Sequence, residues 1–162
     1  MQITINEANR KAKQLKIDYT RIRKEEDNTY TYAHSEGEKP IIQTYDFVKT
    51  QAQLKAINEQ IAKIRHAVSL FNVTNKVQGM DITVDEALVR ISMLSDIKKR
   101  LDAMLLIPDV RRDNNFHTVD IIHRNFNPDD VQAEANAVTD ELNRLRAALD
   151  LTNLTSTIEV DL

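Results

Sequence analysis

Residues 54–71, LKAINEQIAKIRHAVSLF, decide the fold. Leu54, Ile57, Ile61, Ile64, Val68 and Phe71 are spaced 3, 4, 3, 4 and 3 apart, which aligns them as one stripe along a helix of heptad, coiled-coil character. Adding 81 to each gives Ala135, Val138, Leu142, Leu145, Leu149 and Thr152, the same stripe failing only at its last position. Upstream, Ile5, Ala8, Ala12, Leu15, Tyr19 and Ile22 form another stripe. Adding 79 to these gives Val84, Ala87, Ile91, Leu94, Lys98 and Leu101, broken only by Lys98.

Heptad helices can always be aligned on their apolar positions, so identities off the stripe carry more weight. Arg21 matches Arg100, Arg65 matches Arg146, Asn72 matches Asn153 and Thr74 matches Thr155. An internal repeat follows, with pseudo-repeats 1–75 and 80–155 in a single domain 1–162. The expectation is a mainly α protein, an antiparallel four-helix bundle made from two duplicated αα-hairpins.

The helix starts have a mechanism. Thr4 with Glu7, and Thr83 with Glu86, have capping-box spacing: the Thr oxygen accepts from the N–H three residues on, and Glu reaches back to the cap residue's own N–H. Asn127-Pro128-Asp129-Asp130 gives the fourth helix its start, with Asn127 as N-cap, proline in the first turn and carboxylates near the positive end of the dipole. Asn72-Val73-Thr74 and Asn153-Leu154-Thr155 fit the N-glycosylation pattern, which has meaning only in a secreted chain. Their matched placement is read as helix C-terminal structure, with Asn72 and Asn153 as left-handed caps and the threonines bonding free carbonyls.

The connections are unequal. Residues 73–82 form a short link, whereas 27–46 and 108–127 are long, and in an up-down-up-down bundle both long ones emerge at one end. Thr29-Tyr30-Thr31-Tyr32 and Ile41-Ile42-Gln43-Thr44-Tyr45 flank a turn at Glu36-Gly37-Glu38-Lys39-Pro40, which predicts a β-hairpin. Residues 117–123 have similar strand character, and the tail 156–162 alternates polar and apolar as an extended segment would. Ordered connections of this length are uncommon unless they do something. Tyr30, Tyr32, Ile41, Ile42, Tyr45, Phe47, Phe116, Ile121, Ile122 and Phe126 form a candidate interaction surface there.

Composition narrows the classes. The chain has 162 residues, 2 Gly, 3 Pro, no Cys and a net charge of -3, which suits helices and provides no disulfide or thiolate site. No stretch of about 18 apolar residues could span a bilayer, and the start lacks a signal-peptide core, so a cytoplasmic location is expected. Interspersed charge argues against nucleic acid as a partner. The basic residues of the first helix, such as Arg10, Lys13, Arg21 and Lys24, are interrupted by acids and read as a solvated face. No nucleophile elbow, phosphate loop or Glu-x-x-His pair occurs. His34, His117 and His123 lie in the long connections as the candidates for a metal-dependent enzyme; the leading expectation is no catalytic residue and no cofactor.

Three runs, Phe71-Asn72-Val73-Thr74-Asn75, then Thr83-Val84-Asp85-Glu86-Ala87-Leu88-Val89-Arg90, then Arg144-Leu145-Arg146 to Asp150, Asn153 and Thr155, resemble the septicolysin-like family. The order is kept over most of the chain, with Ile82 where members often have Gly and Leu154 where they often have Trp. The resemblance implies a small bacterial helical protein without an assigned reaction. The family label also implies a second reading, a cytolysin-like protein whose amphipathic hairpins open onto a bilayer. The residues themselves favour a non-enzymatic, self-associating structural or protein-interaction protein, a homo-oligomer.

Overall fold

A computed structural model describes residues 1–114 and 118–161. The described chain is mainly helical, with elements β1 (Gln2–Thr4), α1 (Ile5–Thr29), α2 (Phe47–Thr74), α3 (Val84–Leu105), β2 (Val110–Asn114), β3 (Val119–His123), α4 (Pro128–Thr155) and β4 (Thr157–Glu159). It divides into two compact units, one of residues 1–74 with 152–162 and the other of residues 75–151. Among the described residues no helix is long and apolar enough to cross a membrane.

In the first unit, α2 returns along α1. Thr4 is both the last residue of β1 and the N-cap of α1. Its extended backbone lets its Oγ1 accept from the Glu7 N–H at 3.2 Å while the Glu7 carboxylate accepts from the Thr4 N–H at 2.8 Å. Both orphan donors are thereby satisfied. Ile5, Ala8, Leu54, Ile64 and Phe71 are buried, whereas Ala12, Leu15, Tyr19 and Ile22 are half-buried. β1 pairs antiparallel with β4, placing Gln2 opposite Glu159 and Thr4 opposite Thr157. Ile158 and Val160 of the tail are buried, so over β4 (Thr157–Glu159) and Val160 the alternation is that of an extended segment with its apolar side inward.

The second unit opens with a tight link. The Val77 N–H donates to Ile82 O at 2.9 Å, the Met80 N–H to Val77 O at 3.0 Å and the Val84 N–H to Asn75 O at 2.9 Å. Gly79 occupies the third position of the Val77–Met80 turn at φ +76, where a Cβ would be strained. Leu101 of α3 packs with Val131, Ala135, Val138 and Leu142 of α4, with Ile91, Leu94, Ile97 and Met104 around them. Arg146 on α4 reaches Ser95 Oγ on α3 at 3.3 Å. Each fully buried Leu or Val contributes on the order of 1.5–3 kcal/mol. The exposed helical ion pairs Arg21–Glu25, Arg90–Glu86 and Lys98–Asp102 contribute about 0.3–0.5 kcal/mol each, so burial of the seams holds these helices together.

Three local expectations are corrected. Residues 31–46 contain no strand: α1 runs on through Thr29, whose Oγ1 bonds Glu25 O at 2.9 Å, and Tyr30 becomes its C-cap. The helix consumes the first residues of the expected hairpin. Asn72 and Asn153 are not left-handed caps, because both lie inside α2 and α4 and no non-glycine residue among those described has a positive φ; Thr74 does bond back, its Oγ1 donating to Leu70 O at 2.7 Å. At α3, Thr83 Oγ1 accepts from the Glu86 N–H at 3.1 Å, but the Glu86 carboxylate turns forward to Arg90, 2.6 Å away, and leaves the box half made.

Candidate interaction surface

The first long connection is held at its two ends and exposed between them. At one end the Tyr30 N–H closes α1 onto Glu26 O. At the other, Asp46 caps α2 by accepting from the Lys49 N–H at 3.0 Å. Tyr45 is half-buried because its hydroxyl donates to Glu26 Oε1 at 2.6 Å, and Gln51 Nε2 donates to the same oxygen at 2.8 Å. That contact pushes the Tyr45 phenol up to about 12, chiefly through the hydrogen bond to Glu26 and secondarily through desolvation. A cleft of about 450 Å³ lies beside it, lined by Arg21, Glu26, Tyr45 and Lys49 among others. Between the ends, Ser35 O accepts from the Glu38 N–H around Gly37 at φ +87. Tyr30, Tyr32, Ile41 and Ile42 are exposed, Ile41 by 87% and Ile42 by 64%.

The third connection is built differently. β2 and β3 pair antiparallel with Val110 opposite His123, Arg111 opposite Ile122, Arg112 opposite Ile121, Asp113 opposite Asp120 and Asn114 opposite Val119. All residues of both strands are exposed. The pairing sorts side chains by face: Val110, Arg112, Asn114, Val119, Ile121 and His123 share one, and Arg111, Asp113, Asp120 and Ile122 share the other. The Arg124 N–H bonds Asp109 O at 2.9 Å, in register with the ladder. Because hydrogen-bonded pairs alternate along an antiparallel ladder, Ile122 and Asp120 face β2 with their backbone groups. Val119, Ile121 and His123 therefore aim theirs outward.

At the hairpin's base the Arg124 guanidinium lies 5.6 Å over the Phe126 ring, 3.4 Å from Ile107 O and 3.5 Å from Asp109 Oδ1. Its Nε is buried and has no hydrogen-bond partner among the described residues. The stacked arginine lines a cleft of about 370 Å³ together with Leu106, Ile107, Arg111, Ile122 and Phe126 among others.

Of the residues singled out in the sequence, Tyr30, Tyr32, Ile41 and Ile42 are exposed in one connection, and Ile121 and Ile122 fall on opposite faces of one strand. Phe47 is exposed at the start of α2, and Phe126 is half-buried under Arg124. Phe116 and His117 lie outside the described residues. His34 makes a local contact with Ser35 O at 3.0 Å, and His123 stands opposite Val110. Among the described residues no three His, Cys, Asp or Glu side chains are grouped to hold a metal ion. Of the residues that organise the two connections, Glu26 entered the sequence reading only as an acid interrupting a basic helix face, and Arg124 escaped it. Their partners lie 19 and 15 residues away, beyond any helical or hairpin spacing. No protein-family model matches the chain, and no curated protein or solved structure is significantly similar to it.

Proposed function

We propose that this is a non-enzymatic cytoplasmic protein that works by protein contact and associates with itself, its two αα-hairpins a duplicated four-helix design of the septicolysin-like kind. The observation that carries the reading is the set of apolar side chains exposed on each of the two long connections. Ile41, Ile42, Tyr30, Tyr32, Val110, Val119, Ile121 and Ile122 are all exposed, on segments with no helical seam to fill. Scattered surface hydrophobes are ordinary, but several large apolar and aromatic side chains exposed within one short connection favour a contact surface on that connection, and each of the two connections meets this by itself.

Native mass by light scattering after size exclusion, at two protein concentrations, tests it. A discrete oligomer is expected. A monomer at both concentrations overturns the reading. Aspartate at both Tyr32 and Ile42 is expected to lower the mass, and an unchanged oligomer would remove the first connection from the surface.

A further inference from the structure

We infer that the cleft at the base of the β2–β3 hairpin binds a small amphiphilic anion, a carboxylate on a hydrocarbon body, with Arg111 and Arg124 taking the charge.

The strand register places the two cations. Arg111 stands opposite Ile122, and Arg124, two residues after Ile122, continues the ladder through its N–H bond to Asp109 O. Alternation therefore sets Arg111, Ile122 and Arg124 on one face. All three line the cleft with Leu106, Ile107 and Phe126, and all lie within the second compact unit. Arg112, the next residue along β2, falls on the other face and does not line it.

Arg124 lacks acceptors. A guanidinium carries five N–H donors, and this one belongs to a side chain only 20% exposed. Its Nε has no hydrogen-bond partner among the described residues, and its Nη contacts, 3.4 Å to Ile107 O and 3.5 Å to Asp109 Oδ1, exceed the usual range of about 2.7–3.2 Å. Stacking on Phe126 uses the face of the guanidinium and none of its N–H groups. A largely buried cation in this state calls for an acceptor. Arg111 is exposed and makes no side-chain hydrogen bond or ion pair among the described residues. No acidic residue is among the described residues lining the cleft, so a carboxylate, whose two oxygens match the guanidinium fork, is the complementary group.

The remaining walls are apolar. Leu106, Ile107 and Ile122 are exposed, Leu106 by 84%, and a hydrocarbon body lying against them covers surface that the folded chain leaves in water. An anion without such a body would leave these side chains wet, and a hydrocarbon without charge would leave the guanidiniums unpaired. At about 370 Å³ the cleft falls in the lower part of the size range of small-molecule sites, roughly 300–1,000 Å³.

The test is calorimetric titration of the full chain with decanoate, beside decanol, which lacks the charge, and acetate, which lacks the body. Decanoate is expected to saturate a single site, and the other two to bind at least about tenfold more weakly. Arg111→Gln is expected to weaken decanoate about tenfold, and Leu106→Ser to weaken it as well. Arg112→Gln, which removes the same charge from the opposite face, is expected to leave it unchanged, with circular dichroism confirming the helices of each variant. Absence of saturable decanoate binding overturns the inference. So does decanol binding as tightly as decanoate, the mark of an apolar surface only, or acetate doing so, the mark of an adventitious anion. Equal losses in Arg111→Gln and Arg112→Gln would mean diffuse attraction to a basic hairpin and overturn it too. Vesicles of phosphatidylglycerol separate a lipid surface from a free ligand: capture by vesicles without binding of free decanoate sinks the site.

Discussion

The Tyr45 hydroxyl donates a 2.6 Å hydrogen bond to the Glu26 carboxylate, 19 residues earlier in the chain, and so ties the start of α2 to the end of α1. That hydrogen bond, then desolvation, and only then the repulsion of two negative charges, push the titration of the phenol from 10.0 up to about 12. A raised folded value means that the stability from this group is fully present below pH 10.0 and is lost as pH rises towards about 12. Ultraviolet titration of the 4 tyrosines is expected to show one late component. Tyr45→Phe should abolish it and flatten the alkaline loss of stability; an unchanged late component would reassign the contact.

The start of α1 should respond to acid. The backbone N–H of Thr4, then its hydroxyl, hold the Glu7 carboxyl below the ordinary 4.5, so its contribution is present above that value and fades as pH falls. Glu7→Gln is expected to reduce the acid sensitivity of unfolding relative to the wild type. Thr4→Ala should cost about 1 kcal/mol in urea unfolding. An acid profile of Glu7→Gln identical to the wild type would contradict the contact.

Gly79 and Gly37 have φ values of +76 and +87, and a Cβ at either would meet no atom within 4 Å. Any cost of Ala is therefore backbone strain alone. Gly79→Ala, in a link fixed by three backbone bonds, should destabilise by about 1 kcal/mol. Gly37→Ala should cost less, because the exposed connection around it can relax. Denaturant midpoints of the two variants provide the comparison.

Burial separates folding from assembly. Ile64→Ala and Leu142→Ala, at 0% and 2% exposure, are expected to cost about 2–5 kcal/mol each through lost transfer energy and the cavity left behind. Ile41→Ser, at a side chain 87% exposed, should leave unfolding within about 0.5 kcal/mol of wild type. A large loss at Ile41 would mean that its surface is covered within the folded chain.

The sequence by itself determined what depends on near neighbours along the chain. A 3-4 apolar spacing fixes a helix because residues three and four apart share a face. It showed α2 through Leu54, Ile64 and Phe71, and α4 through Val138, Leu142 and Leu145. Thr4, Thr83 and Asn127 announced helix starts because a cap acts within one turn. Tertiary structure decided whatever depends on which distant segments meet. Ile41 and Ile42 have strand chemistry but no strand, since α1 absorbed Thr29 and the Tyr45–Glu26 bond committed the far end. Val110-Arg111-Arg112-Asp113-Asn114, with little strand chemistry, became β2 because β3 lay beside it. β1 exists only because residues 157–159 return to it across most of the chain. Strand hydrogen bonds need a partner that local sequence does not contain, whereas a helix supplies its own.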